Sequence, residues 1–352
     1  MEGFNKSNST SINTFWVAMP VMRNLILLAA RNEVEVDAIC VAGGINPADM
    51  NNIEMKVSLE SNIAIMETIL QLSDDKDMGL HLGEKATPPI IGQAGHLQQS
   101  DSDVLSAFRK TVYFTRTFTA LYDFIFEEKD NKIFLYYEPV QLWNDIAPET
   151  ARHGVDIPFA ATVNFVKVLS GQTVYPIKVQ YKYPKVSDTS EHERIFKCRP
   201  SFNQPCNCIV FNRADLEIPI LGYNPKLNIV IENMLHERLR QAAEGVRFSV
   251  KVKEAILNNY QFDFPQLENV AVFLNITPRT LQRKLQEENT TYRVLSDLVK
   301  YELAAALLKH NELSISEIAY KLGYTDPHTF RKAFKQWSGS TPAEYRTKII
   351  TL

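Results

Sequence analysis

Ala271-Val-Phe-Leu-Asn275-Ile-Thr-Pro278-Arg-Thr-Leu-Gln-Arg283-Lys-Leu285 and Ala319-Tyr-Lys-Leu-Gly323-Tyr-Thr-Asp-Pro327-His-Thr-Phe-Arg-Lys332-Ala-Phe334 carry one pattern twice. In each, a short apolar helix meets a tight turn, and a second helix opens on a cap residue and a proline. Asn275 and Gly323 stand where the turn needs positive φ, which asparagine tolerates and glycine adopts freely. Thr277 and Asp326 are placed to cap the second helix. Pro278 and Pro327 fill its first position, where a missing N–H costs nothing. Leu281 and Leu285 in the first copy, and Phe330 and Phe334 in the second, fall four and eight residues after the cap and face inward. The second copy has one extra turn residue. This is the helix-turn-helix pattern, whose second helix suits a DNA major groove.

The outward faces follow by elimination. Arg279, Thr280, Gln282 and Arg283 lie outside in the first unit. His328, Thr329, Arg331 and Lys332 lie outside in the second. Arginine and glutamine can bond guanine and adenine edges in pairs. Tyr292–His310 reads as a helix of about 28 Å, able to hold the units about one DNA turn, ~34 Å, apart. Ser314 and Glu317 form a capping box for the helix that opens the second unit. One match of this kind is weak, because polar helix faces are usually only solvated. Two in phase agree across levels, and that agreement is the signal.

The chain has 352 residues, 45% of them apolar, and a net charge of −3. Residues 250–352 hold 14 Lys and Arg against 11 Asp and Glu, whereas the remainder holds 24 against 30. A mildly basic module on an acidic partner fits DNA binding by one domain. The apolar stretch Phe15–Ala30 contains Pro20 and Arg23, follows no basic region and is too short to span a bilayer. We expect a soluble cytoplasmic protein with no membrane partner. Four cysteines do not make a disulfide framework, which fits a reducing compartment.

Ahead of the repeats the patterning is mixed. Residues 14–42 read as helical, with a turn at Gly43-Gly44, and Leu59–Leu72 as a helix capped near Ser58. Pro88–Gly95 is a break and Asp103–Phe118 an amphipathic helix. Leu121–Glu127 and Lys132–Glu138 read as a hairpin turning at Asp130-Asn131. Pro148–Ser170 is a long helix ending at Gly171. Tyr175–Tyr183 and Cys208–Phe211 read as strands, Glu191–Cys198 as a short helix and Lys226–Ala243 as a longer one. The expected fold is therefore an α+β N-terminal domain, residues 1–244. An all-α C-terminal domain follows, residues 245–352, with two helix-turn-helix units joined by a long helix. Its seven short helices begin with Val250–Asn258, for which Ser249 is the candidate cap.

The motifs support a closer identification. Ile318-Ala-Tyr-Lys-Leu-Gly-Tyr-Thr-Asp-Pro-His-Thr-Phe-Arg-Lys-Ala-Phe-Lys-Gln-Trp-Ser-Gly-Ser-Thr-Pro342-Ala-Glu-Tyr-Arg346 resembles the signature of the AraC/XylS family of bacterial transcription regulators. Asp77-Met-Gly-Leu-His-Leu-Gly83, Gly92-Gln-Ala-Gly95, Phe196-Lys-Cys198 and Leu216-Glu-Ile-Pro219 resemble the arabinose-binding-like sensor domain of one branch. The resemblance implies base contacts at Arg279, Gln282 and Arg283, and at His328, Thr329 and Lys332. Pro327 stands where some members place a polar base-reading residue, and Asn275 replaces the commoner turn glycine. Also implied are promoter or operator DNA as partner, a small-molecule effector on the N-terminal domain, and contact with RNA polymerase as an activator. A homodimer is expected, joined through Leu227–Ala243, the segment that would also couple the domains.

Other candidates weigh less. Cys198, Cys206 and Cys208 cluster, but free cysteines commonly serve as small apolar residues. An alkyl-transfer enzyme with an appended DNA module would need an activated cysteine, and only Lys197 and Arg199 flank Cys198. An architectural DNA binder would not need so large a mixed domain. His81, His96 and His153 are scattered. No phosphate loop, dinucleotide fingerprint or nucleophile elbow is present, so neither catalysis, nor a metal, nor a cofactor is expected. The aromatic run Phe108, Tyr113, Phe114, Phe118, Tyr122, Phe124 and Phe126 could line an apolar pocket, although core is the commoner use of such residues.

Overall fold

Long-range contacts gather the chain into two units, residues 15–140 with 148–242, and residues 141–147 with 243–352. The computed structural model describes residues 15–30, 35–243, 247–260, 264–309 and 313–350. The expected boundary at Gly245 lies outside them.

In the first unit β1 (Trp16–Ala18) leads into α1 (Met19–Ala30) and α2 (Val36–Ala42), and β2 (Lys56–Ser58) into α3 (Leu59–Ser73). Helices α4 (Met78–Lys85), α5 (Gln93–Ser100) and α6 (Val104–Tyr113) precede the hairpin of β3 (Tyr122–Lys129) and β4 (Lys132–Pro139). After α7 (Gln141–Ile146), which belongs to the second unit, come α8 (Pro148–Ser170), β5 (Lys178–Gln180), α9 (Ser190–Phe196), β6 (Cys208–Asn212) and α10 (Pro225–Ala243). The sheet order is β3-β4-β6-β5, antiparallel throughout, and β1 pairs separately with β2. Helices and antiparallel sheets are thus mixed as expected. The hairpin turns where the sequence placed it, with Asp130 at φ 51° and Asn131 at φ 59°, the two positive values of a type I′ turn.

Three local readings are corrected. Within 14–42, of which 14 and 31–34 lie outside the described residues, Trp16–Ala18 is a strand, because it finds a ladder partner about forty residues on, a pairing that no local window contains. Tyr175–Tyr183 narrows to Lys178–Gln180, the only stretch that β6 accompanies. Ser249 is not a cap: it lies inside α11 (Phe248–Asn258), whose first N–H groups, those of Phe248 and Ser249, donate to the carboxylate of Glu288.

The glycines of Asp77–Gly83 have a packing role. A Cβ on Gly79 would lie 2.8 Å from the carbonyl oxygen of His153, and one on Gly83 closer still to that of Ile157. Helix α4 therefore lies backbone to backbone on α8. His153 is buried there and pushed down to about 4 by burial, and its Nδ1 accepts the Gly79 N–H at 3.2 Å. On the outer side of α4, His81 bridges Asp75 (2.7 Å) and Glu191 (2.8 Å). Burial opposes its charge, but the two carboxylates outweigh burial and hold it above the usual imidazole range. Both histidines are structural. His96 is exposed, its Nδ1 lying 3.2 Å from Gln99 Oε1.

The second unit is helical. Beside α7 and α11 it holds α12 (Leu267–Phe273), α13 (Pro278–Glu287), α14 (Tyr292–Lys309), α15 (Ile315–Lys321), α16 (Pro327–Ser338) and α17 (Pro342–Ile350). Seven helices follow residue 247 among the described residues, the number expected. Helix α14 is the spine: Leu295, Val299, Leu303 and Leu307 are buried along it, and its Glu302 receives Lys253 of α11 at 2.7 Å. Helix α7 joins this unit through Asp145, which accepts from Lys321 Nζ at 2.8 Å at the end of α15.

Candidate nucleic-acid interface

The two turns close in the same way. The Ile276 N–H donates to Ala271 O and the Asn275 N–H to Val272 O; the Tyr324 N–H donates to Ala319 O and the Gly323 N–H to Tyr320 O. This pairing of six-residue and four-residue closures is the Schellman motif, with its left-handed residue at Asn275 (φ 53°) and Gly323 (φ 77°). At Gly323 space is short too, since a Cβ would approach Phe264 Cβ at 3.2 Å. Ala271 and Ala319, whose carbonyls close the two turns, are both fully buried.

The caps are as read. Thr277 Oγ1 accepts from the Thr280 N–H at 3.2 Å. Asp326 accepts from the His328 and Thr329 N–H groups at 2.9 and 2.8 Å. Hydrogen bonds from the Thr329 hydroxyl and these two amides hold the Asp326 carboxyl down to about 2. Leu281, Leu285, Phe330 and Phe334 are fully buried. The capping box of Ser314 and Glu317 is present.

With these residues inward, Arg279, Gln282 and Arg283 are exposed on α13, and Thr280 is half-buried. On α16, His328, Thr329, Arg331 and Lys332 are all exposed. The two threonines differ from the rest. Thr280 Oγ1 pairs with Thr277 Oγ1 at 2.8 Å, and the Thr329 hydroxyl donates to Asp326, so both hydroxyls are engaged by caps. Arg283 Nη1 reaches Glu287 on its own helix, and both side chains are more than half exposed. Lys335 is a residue that the sequence reading passed over: exposed, one turn beyond Arg331, it extends the basic face of α16. Charge also separates the two helix starts. The neutral Thr277 caps α13, leaving the partial positive charge of the helix end, whereas the Asp326 carboxylate cancels it at α16.

The linking helix is fastened to the second turn by Lys300, whose Nζ lies 4.6 Å from both the Phe264 and Tyr324 rings. Burial lowers its pKa. At 18 residues, α14 spans ~27 Å. His310, its expected last residue, lies outside the described residues.

Away from this face, burial raises the thiols of Cys198, Cys206 and Cys208, the last to about 12, so none is an activated thiolate. Of the aromatic run, Phe108, Phe118, Tyr122 and Phe124 line a cavity in the first unit. Tyr113 is exposed, Phe114 packs on Leu97 and Leu235, and Phe126 lies under Arg109.

Residues 34–220 match the family model described as the arabinose-binding domain of AraC transcription regulator, N-terminal, and residues 270–348 match a helix-turn-helix domain. The chain is 25% identical over 330 residues to the ornithine utilization regulator of Pseudomonas aeruginosa, covering 92% of this chain and 94% of that one. It is also 25% identical over 336 residues to an uncharacterized helix-turn-helix-type transcriptional regulator of Mycobacterium tuberculosis, covering 94% and 96%. The crystal structure of the transcriptional regulator CdpR from Pseudomonas aeruginosa aligns over 88% of this chain and 96% of that one, at 21% identity and a TM-score of 0.44.

Proposed function

Because this chain belongs to the AraC family of transcription regulators, we propose that it recognises promoter or operator DNA with α13 and α16 in successive major-groove faces, under control of a small molecule held by its N-terminal unit. The observation that carries the reading is the phase agreement of the two helix-turn-helix units: left-handed turn residue, cap, proline and two buried anchors recur together. It is not an enzyme; its relatives are named as regulators, several of them of transcription.

In this reading Arg279, Gln282 and Arg283 read bases, with His328 and Lys332 beside them, while Arg331 and Lys335 hold phosphates. Thr280 and Thr329 set the helix starts. The protein acts as an activator in contact with RNA polymerase, as its family resemblance implies. It works as a homodimer through α10, where Leu227, Val230 and Met234 recur at spacings of three and four and are about half exposed, the pattern of a helix-pairing seam. A neighbouring face of α10 is already used, Leu235 being buried against Leu97 and Phe114. A cytoplasmic location accords with the described residues, where no helix is long and apolar enough to cross a membrane.

The test is binding of the full chain to the DNA upstream of its own gene and to a scrambled duplex, across salt. Affinity for both should fall as salt rises, since phosphate contacts release counterions, while the preference for the natural sequence persists. Absence of any preference at every salt concentration would refute the reading.

A further inference from the structure

We propose that the cavity of the first unit binds a small uncharged molecule that presents an adjacent hydrogen-bond acceptor and donor, as a primary amide does, to Asn62 and Gln98. This deepens the effector-control reading and rests on it. The cavity measures about 140 Å³, close to the size at which an apolar protein cavity accommodates benzene, about 150 Å³. Among the described residues that line it none is charged, and its wall is chiefly aliphatic and aromatic.

Most polar groups of the wall are already satisfied. Tyr122 donates to Gly154 O at 2.9 Å. Thr162 donates to Pro158 O at 2.7 Å and meets the Tyr137 hydroxyl at 2.9 Å. Asn62 and Gln98 are the exceptions. They are 4% and 2% exposed, and Asn62 Nδ2 and Gln98 Oε1 are buried without a hydrogen-bond partner. The orientation of Gln98 follows from its neighbour. The Thr111 hydroxyl gives its proton to Ala107 O at 2.8 Å, so it can only accept from Gln98, whose Nε2 lies 2.7 Å away. Gln98 Oε1 is thereby left as an acceptor in need of a donor, and Asn62 Nδ2 as a donor in need of an acceptor. Buried polar atoms are rarely left so in folded proteins. One amide group, its carbonyl toward Asn62 and its N–H toward Gln98, answers both, and the apolar wall takes a short hydrocarbon tail. A charged amino acid finds no counter-charge here and would leave its own solvation uncompensated.

The site is tied to the segment that leads toward the DNA-binding unit. Gln98 sits on α5 next to Leu97, and Asn228 Nδ2 of α10 donates to Leu97 O and to Ser100 Oγ, each at 3.2 Å. A ligand drawing on Gln98 therefore acts on the helix that carries α10.

Saturation-transfer NMR titrations of the full chain with pentanamide, benzene and L-ornithine test this. Pentanamide should bind, benzene should bind more weakly, and ornithine should not bind. In Asn62→Leu and in Gln98→Leu, pentanamide affinity should fall at least about tenfold while benzene still binds, which shows that the cavity survives in each variant. No binding of pentanamide, or equal affinity in both variants, overturns the proposal. Preference for specific DNA is measured in the same preparations. If it persists while pentanamide fails to bind, this inference alone is lost. If pentanamide binds as described but leaves DNA affinity unchanged, effector control is lost and the site stands.

Discussion

Phe334→Ala is expected to remove about 3–5 kcal/mol from the helical unit, the usual cost of emptying a buried phenylalanine site. Phe334 is fully buried at the second anchor position of α16. Its ring meets Phe330 at 5.8 Å, Tyr301 of α14 at 5.8 Å and Tyr345 of α17 at 5.3 Å. The space left would be bounded by three other aromatic rings, which cannot collapse into it without leaving their own contacts. Since domain stabilities are typically 5–15 kcal/mol in total, so large a loss threatens folding of the unit itself. Calorimetry should show the transition of the helical unit shifted down sharply, while the N-terminal unit melts as before. DNA binding should disappear with it. An unchanged thermogram would mean that α16 is not anchored as described.

The second large effect concerns recognition. Arg283→Ala should cost about 1–3 kcal/mol on the preferred DNA site, roughly a 5- to 150-fold loss of affinity, and much less on scrambled DNA. Arg283 leaves little behind when it turns to DNA. Its ion pair with Glu287 is solvent-exposed on both sides, and exposed pairs contribute at most ~1 kcal/mol. Glu287→Ala should accordingly raise affinity on every sequence, by freeing Arg283 and removing a negative charge near the phosphates. Fluorescence anisotropy on matched duplexes distinguishes the alternatives. An equal loss on all sequences for Arg283→Ala would make the residue a phosphate contact.

What the sequence disclosed follows from how local each determinant is. Within each unit the cap, the left-handed turn residue and the anchors lie within a dozen residues of one another, and the structure has them where the pattern put them. The long helix Pro148–Ser170 was legible because apolar periodicity, an opening proline and a closing Gly171 agree. Pairing across forty residues, as between Val17 and Val57, leaves no local trace. The glycines of α4 were visible as a family motif, but the backbone of α8 against which they pack was not. The aromatic run was half informative: four of its seven residues line the cavity. The two residues that give the cavity its chemistry, Asn62 and Gln98, were silent, because a lone amide on a helix looks like any surface residue until burial removes its partners. The engaged hydroxyls of Thr280 and Thr329 were hidden for a similar reason, since a threonine three residues past a cap gives no sign of which group it bonds.

The claim that the two helices read one duplex together is tested most directly by selecting from a pool of random duplexes with the full chain. The account predicts a site with two conserved blocks, their centres about 10–10.5 base pairs apart, bound about 10³-fold or more tighter than random sequence at physiological salt. Inserting about five base pairs between the blocks should abolish that advantage by turning one groove face away. A pool that enriches no sequence, or a single block indifferent to its surroundings, would contradict it.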